Sequence, residues 1–191
     1  MNPSTGAALF AIVLVLVIVG FVIVTTYNAV VALHNRIRKA WANVDVALKQ
    51  RHDQLPNLVE AVRGVMTFER DVLEDVTRAR AAYAATDPIP RQAAVSDQTS
   101  AAVRSLFAVV ERYPDLKSAA NVAALQEEIA RLENVIADRR ELYNDQVFRY
   151  NTRIAQVPTN LLAGLFGWTP EPFFATGDAE RERPAVDIRP A

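Results

Sequence analysis

The sequence predicts an all-α protein: a single N-terminal transmembrane helix, then an antiparallel four-helix bundle, a short C-terminal helix and a mobile tail. Three observations lead to this class. No charged side chain occurs from Gly6 to Tyr27. Apolar residues recur at spacings of three and four through most of the remaining chain, which is typical of helices with one buried face. Prolines separate these apolar stripes, where helices are expected to end.

Composition limits the function classes. The 191 residues carry a net charge of −1, so no basic surface for nucleic acid is predicted. The absence of cysteine excludes disulfides, thiolate metal ligands and cysteine nucleophiles. His34 and His52 are the only histidines, fewer than most cysteine-free zinc sites need. We therefore expect no metal or cofactor.

The first element is predicted to be a transmembrane signal anchor over residues 7–27. About 20 apolar residues in a helix span a hydrocarbon core of ~30 Å. A cleaved signal peptide would have a basic start and a shorter apolar core, whereas "MNPSTG" has no basic side chain. The sequence thus predicts one crossing of the lipid bilayer.

Basic residues on one flank predict the orientation. Arg36, Arg38 and Lys39 follow the apolar run, and residues 1–6 carry no charged side chain. Lys and Arg near a span tend to remain in the cytoplasm. We expect a protein of the cell membrane with residues 1–6 outside and a cytoplasmic helical bundle over 28–157.

The second element is a stripe from Trp41 to Tyr83, which Pro56 divides. One interpretation is a turn near Pro56, with Asp53 as the N-cap of a new helix and the proline in its first turn. The stripe keeps its phase through Pro56, so a kinked single helix is the alternative. We favour the turn, because a helix from Tyr27 to Tyr83 split near Pro56 gives two pieces of about 40 Å, which match the other predicted helices better than one helix of about 85 Å.

Two further helices follow, over about 91–112 and 118–156, and Pro158 ends the second. Residues 158–174 form an apolar C-terminal segment, with Thr159 or Asn160 as helix cap and Gly167 as its end. It packs on the bundle or lies at the membrane interface, and five residues are candidates for that contact: Leu165, Phe166, Trp168, Phe173 and Phe174. Residues 175–191 are charged and lack an apolar pattern, so they are expected to be mobile.

Four blocks carry a resemblance to a known family. They are "YNAVVALHNRIRKAWANVDVALKQRHDQLPNLVEAV" (27–62), "YPDLKSAANVAALQEEI" (113–129), "YNDQVFRYN" (143–151) and "PTNLLAGLFGWTPEPFF" (158–174). In this order they resemble the LemA family. The resemblance implies an N-terminal membrane helix with its short end outside and a cytoplasmic four-helix bundle, and it favours a break near Pro56. It implies no enzymatic activity, and by association it suggests partners among envelope proteins, such as a membrane protease.

A cluster of charge around Pro56 is the first candidate polar site: Arg51, His52, Asp53, Pro56 and Asn57. Adjacent helical residues point about 100° apart, so His52 and Asp53 do not form an acid–base pair. A capped helix end with a solvated histidine is the preferred interpretation. It places these side chains where a partner could dock.

Charged residues interrupt the apolar stripes at Arg51, Glu69 and Arg139. Their stems cover the core while their heads reach water, or they form a buried ionic layer that fixes helix register. Glu127, Glu128, Glu133 and Glu141 are interpreted as the solvated face of the long helix, paired with nearby arginines at helical spacing.

The dipeptide Tyr-Asn occurs twice on the long helix, at Tyr143-Asn144 and Tyr150-Asn151. The pairs are seven residues apart and so share one helix face. They form a polar layer that specifies the bundle, or a strip on which a partner docks.

Two functions remain. The first is a non-enzymatic scaffold or adaptor, which binds an unknown membrane or cytoplasmic protein or a second copy of itself. The alternative is a bundle with a concealed polar pocket for a ligand or for catalysis.

Overall fold

The computed structural model describes residues 3–63, 70–117 and 119–175, with side chains for 9–63, 70–116 and 119–175. All regular elements within these ranges are helices, so the predicted all-α class with an N-terminal apolar helix is confirmed. The helices are α1 (Pro3–Arg63), α2 (Arg70–Ala81), α3 (Ile89–Val110), α4 (Pro114–Lys117), α5 (Ala120–Ala155) and α6 (Thr159–Phe166). Glu69 and the predicted tail beyond Ala175 lie outside the described residues.

The predicted turn near Pro56 is wrong. Pro56 lies inside α1, which continues to Arg63, and Asp53 is an interior helical residue and caps nothing. An interior proline costs about 3 kcal/mol, since it removes one intrahelical hydrogen bond. Four side chains near it stay buried on the same stripe, namely Leu55, Leu58, Val59 and Val62. Each contributes about 1.5–3 kcal/mol when buried, which together outweighs the cost of the proline.

The chain divides into two compact units. The first contains Met1–Ala40 and Asp145–Glu171. Its part of α1 begins with the apolar run, whose side chains are largely exposed from Leu9 to Val24. Buried side chains follow from both parts of the unit: Val30, Ile37, Val147, Tyr150 and Ile154. Within the described residues, α1 is the one helix long and apolar enough to cross a membrane.

The second unit contains Trp41–Asn144 and the chain from Pro172 onward. Its main hydrophobic cluster takes buried side chains from the end of α1 and from α2, α3, α4 and α5. Examples are Leu58, Val76, Leu106, Leu116 and Ile129. The buried positions of α1 and α5 follow the predicted stripes, because residues three or four apart lie on one helix face.

The predicted helices over about 91–112 and 118–156 correspond to α3 and α5. The C-terminal helix is also present, but its predicted cap is wrong. Pro158 occupies the N-cap position without a side-chain hydrogen bond, and Thr159 is fully buried inside the helix. Gly167 ends α6 in the left-handed conformation (φ 69°), as the sequence predicted.

Candidate functional site: a buried polar network and a held C-terminal segment

Arg51 is the centre of a polar network in the second unit. Its side chain is only 3% exposed. Nη1 donates to Glu133 Oε1 at 2.7 Å and to Ser100 Oγ at 2.8 Å. Nη2 donates to Ser96 Oγ at 2.9 Å and to the Ser96 carbonyl at 3.3 Å. One guanidinium therefore joins α1 to α3 and α5. Of the two interpretations of Arg51, the buried ionic layer applies, and its head does not reach water.

Glu133 completes the ion pair, which corrects its assignment to the solvated face of α5. Its side chain is 27% exposed, and Oε2 accepts a 2.6 Å hydrogen bond from Ser100 Oγ. Glu128 does pair locally with Arg131, at 2.6 Å. Arg139 is half-buried. Its neighbour Arg140 makes a cross-helix contact that the sequence did not indicate, a 2.8 Å ion pair with Asp97.

A second polar group lies beside this network, where α1 and α2 approach. The ring of His52 lies 5.2 Å from that of Tyr83, and the Tyr83 hydroxyl donates to Asp45 Oδ1 at 3.1 Å. His52 Nδ1 and Arg80 Nε are buried and have no hydrogen-bond partner among the residues that the structure describes. His52 is thus partly buried in a helix interior, and the prediction of a solvated histidine at a helix end is wrong.

A small cavity separates these groups. It has a volume of about 10 Å³ and is lined by residues that include Arg51, His52, Arg80, Tyr83 and Ser96. A single water needs roughly this volume and two or more polar partners. The cavity therefore has room for about one water beside the His52 and Arg80 side chains, but it cannot hold a substrate.

Burial sets the protonation of both rings. Burial lowers the pKa of His52 below its usual 6.5, and the positive charge of Arg80 adds to this effect against the opposing charge of Asp53. Burial, together with the Asp45 carboxylate, raises the pKa of Tyr83 to about 12. His52 is therefore held toward its neutral form, and Tyr83 remains a hydrogen-bond donor.

The other residues predicted around Pro56 do not join this group. Asp53 and Asn57 are exposed, and Asn57 Nδ2 donates to Gln54 Oε1 at 3.1 Å within the same helix. Pro56 is half-buried. The charged cluster of the sequence thus divides into a buried member, Arg51, a partly buried His52, and a solvated remainder.

The first Tyr-Asn pair of α5 holds the C-terminal segment of the second unit. The Tyr143 hydroxyl donates to the Pro172 carbonyl at 2.9 Å. Asn144 accepts from the Phe174 N–H at 2.9 Å and donates to the Phe174 carbonyl at 3.0 Å. Phe174 is 1% exposed, with its ring 5.7 Å from that of Trp41.

The asparagine of the second Tyr-Asn pair holds the C-terminal segment of the first unit. Asn151 donates to the Glu171 carbonyl and accepts from the Glu171 N–H, both at 2.9 Å. The Glu171 carboxylate lies 3.6 Å from His34 Nδ1, and the His34 ring is 5.8 Å from that of Tyr150. The asparagines of both pairs hold the backbone of the chain's own C-terminal segment, which is a different role from the bundle layer or the docking strip predicted.

The five apolar candidates of the C-terminal segment differ in burial and in their contacts. Phe174 is core, and Phe173 is 38% exposed. Phe166 and Trp168 stack with ring centroids 5.2 Å apart, and both approach Tyr27. Leu165 is 75% exposed.

The partners of Arg51 were missed by sequence reasoning. Ser96 and Ser100 are four residues apart and therefore share one face of α3. They occur in an alanine-rich helix with few apolar markers. A pair of small hydroxyl residues at this spacing, opposite a helix with an arginine on its apolar stripe, is the signal that could have found them.

Among the residues that the structure describes, no three histidine, aspartate or glutamate side chains are grouped so that they could hold a metal ion. The chemistry that the network does provide is fixed charge and directed hydrogen bonds between helices.

Comparison with known proteins gives a family and several relatives. A model of the LemA family matches residues 40–188. The protein LemA of Metamycoplasma hominis is 25% identical, over 84% of this chain and 74% of its own length. The magnetosome protein MamQ of Magnetospirillum gryphiswaldense is 22% identical, over 91% of this chain and 72% of its own length.

A higher identity extends over a shorter stretch. The magnetosome protein MamQ 2 of Paramagnetospirillum magneticum is 35% identical over 86 residues, which are 45% of this chain. The matched stretch covers only 29% of the length of that relative.

Proposed function

Because the chain belongs to the LemA family, we propose that it is a membrane-anchored helical scaffold that acts by binding other proteins. It performs no catalytic step of its own. The partner is a membrane or cytoplasmic protein, for example a membrane protease, or a second copy of the chain.

The size of the cavity at the polar network carries this proposal. Arg51, Glu133, Ser96 and Ser100 bond to one another, and the adjacent space of about 10 Å³ has room for about one water. Ligand pockets usually measure ~300–1,000 Å³. The network therefore supports a role in fastening helices together, as expected of a rigid scaffold.

The architecture proposed for the scaffold is an antiparallel bundle of the end of α1 with α2, α3 and α5. The shared hydrophobic cluster, which takes side chains from all four, supports it. The proposed span is residues 7–27, with Arg36, Arg38 and Lys39 on the cytoplasmic side.

The orientation has a direct test, because the chain contains no cysteine. Single cysteines in place of Asn2 and of the exposed Gln98 can be exposed to a membrane-impermeant maleimide on intact cells. Asn2→Cys is expected to react at once, and Gln98→Cys only after lysis. The reverse order of reaction would contradict the orientation.

The partner surface is expected to include the exposed apolar side chain of Leu142 on α5 of the second unit, which is 60% exposed. The full-length protein should be cross-linked in cells and purified in mild detergent. A stoichiometric protein partner or a homo-oligomer is expected, and Leu142→Glu should reduce its yield several-fold.

Ala137→Glu is the matched control, because it places the same charge at another exposed position of α5. It lies five residues away and thus about 140° around the helix. It is expected to leave the complex unchanged. A monomer without any stoichiometric partner in the unmodified protein would overturn the scaffold proposal.

One observation favours the second candidate, a ligand-binding bundle. The first unit has a cavity of about 260 Å³, lined by residues that include His34, Tyr150, Trp168 and Glu171. Native mass spectrometry of the detergent-purified chain tests it. A bound small molecule that is lost in Trp168→Ala and retained in Trp41→Phe supports this candidate, and its absence removes it.

A further inference from the structure

Helix α6 exposes an unusually apolar face. Leu161 is 73% exposed, Leu165 75% and Phe166 41%, and Val157, just before the helix, is 76% exposed. Leu161 and Leu165 are four residues apart and so lie on one side of the helix. Four large apolar side chains in so short a stretch mark a contact surface.

Aromatic contacts place α6 beside the end of the apolar run of α1. The Tyr27 ring lies 5.2 Å from that of Phe166 and 5.9 Å from that of Trp168. Tyr27 comes three residues after Val24, an exposed apolar residue of the run. Tyrosine and tryptophan are enriched where a protein crosses from hydrocarbon to headgroups, because each has an apolar body and a polar tip.

Polarity changes in the same order along both segments. On α1 the apolar run leads to Tyr27 and then, seven residues on, to His34. In the C-terminal segment α6 leads to Trp168 and then to Glu171. The aromatic residues contact one another, and the polar residues do too, since Glu171 lies 3.6 Å from His34. The apolar part of α6 is therefore at the level of the apolar end of α1.

We propose that α6 lies in the membrane interface, at the Tyr27 end of the span, and is a second lipid contact of the protein. The exposed apolar face of α6 contacts the lipid bilayer, into which Leu161, Leu165 and Phe166 insert. Helices of this kind reach about 5–10 Å into the boundary between headgroups and acyl chains. The inference depends on the proposed membrane anchor, and its experiment separates the two.

Nitroxide labels on single cysteines give the test, with the full chain in phospholipid vesicles. The labelled variants are Leu161→Cys and Leu165→Cys on α6, Val17→Cys on the apolar run and Val46→Cys on the second unit. Val17 and Val46 are similarly exposed, at 63% and 57%, so they are matched references for lipid and for water. Collision rates with oxygen and with a nickel chelate are measured at each site.

At the α6 sites, the ratio of oxygen to nickel collisions is expected to be several-fold higher than at Val46 and to approach that at Val17. A ratio equal to that at Val46, with Val17 still lipid-like, overturns the inference and leaves the anchor intact. A water-like ratio at Val17 as well overturns both the lipid contact of α6 and the proposed membrane anchor. Protection of the α6 sites from both reagents shows a protein occupant and overturns the inference.

A second measurement needs no change in α6. Trp41→Phe leaves Trp168 as the only tryptophan of the chain. Lipids with brominated acyl chains are expected to quench most of its fluorescence in vesicles, whereas aqueous iodide should quench little. The opposite order of quenching overturns the inference.

Discussion

At the scale of single residues, substitution of Arg51 is expected to lower the stability of the protein strongly. Arg51→Met would leave Glu133 and two serine hydroxyls without their shared partner. Loss of one member of a buried ion pair typically costs about 3–5 kcal/mol. Since Glu133 is partly exposed, we expect a loss near the lower limit, about 3 kcal/mol, in urea unfolding followed by circular dichroism in detergent.

Arg149→Met is the control, because it removes an arginine from an exposed ion pair with Asp145. Such pairs contribute about 0–1 kcal/mol. Equal losses for Arg51→Met and Arg149→Met would show that the network around Arg51 has no special weight.

His52 predicts a dependence of stability on pH. Its pKa is lowered in the folded protein, so the unfolded chain binds a proton more readily. Its contribution to stability is complete above about pH 6.5 and is lost as the pH falls through that value toward the folded pKa. Urea midpoints at about pH 7.5 and 5.5 should differ less in His52→Phe than in the unmodified protein, and an unchanged difference would contradict the assignment.

Asn144 is expected to protect the segment that it holds. It makes two hydrogen bonds to Phe174, each with a net contribution of about 1 kcal/mol. Asn144→Leu should therefore speed hydrogen exchange at the Phe174 amide by about tenfold or more. Asn134→Leu, at an exposed position of the same helix, is expected to leave that rate unchanged.

These residues also show what the sequence contains at this scale. Arg51 was identified as an interruption of the stripe, since one charged residue among apolar ones is visible in the pattern. Its partners were not, because Glu133 was grouped with the solvated glutamates of α5, although no arginine lies three or four residues from it. Which distant cation Glu133 meets is decided only when α1, α3 and α5 pack together.

At the scale of elements, the position of Pro56 leads to a prediction. In the interior of α1 it leaves one carbonyl of the preceding turn without an intrahelical donor. Pro56→Ala is therefore expected to stabilise the protein, by up to about 3 kcal/mol. Thermal unfolding followed by circular dichroism measures the gain.

Pro114→Ala is the comparison, because Pro114 begins α4 and its missing N–H would have no intrahelical partner there. It should change stability little. A loss of stability in Pro56→Ala would contradict the cost assigned to the interior proline.

The contrast between α5 and α1 explains which elements were predictable. The bounds of α5 agree closely with the prediction, because its long apolar stripe, interrupted only at Arg139, and the proline at position 158 indicate the same end of the helix. At Pro56 the local signal favours a break while the stripe favours continuation. The burial of Leu55, Leu58, Val59 and Val62 decides for the stripe, and that burial depends on α2, α3 and α5.

At the scale of the whole molecule, the chain is expected to fold without its apolar run. The residues of the main hydrophobic cluster all lie between Leu55 and Ile129. Residues 28–191 should therefore give a strongly helical circular dichroism spectrum and a cooperative thermal transition. Leu106→Asp, at a fully buried position of that cluster, should abolish the transition, and a strand-rich spectrum of 28–191 would contradict the fold.

Arg51 also limits how the helices can slide past one another during folding. The apolar stripe of α5 repeats so regularly that a shift of seven residues, about 10 Å, would again offer mostly aliphatic side chains to the core. The same shift replaces Glu133 opposite Arg51 by Arg140 in one direction and by Gln126 in the other. The first places two cations together and the second leaves the guanidinium without a counter-charge. A single buried arginine thus distinguishes one alignment from its near-equivalents, a selection that interchangeable aliphatic contacts alone do not provide.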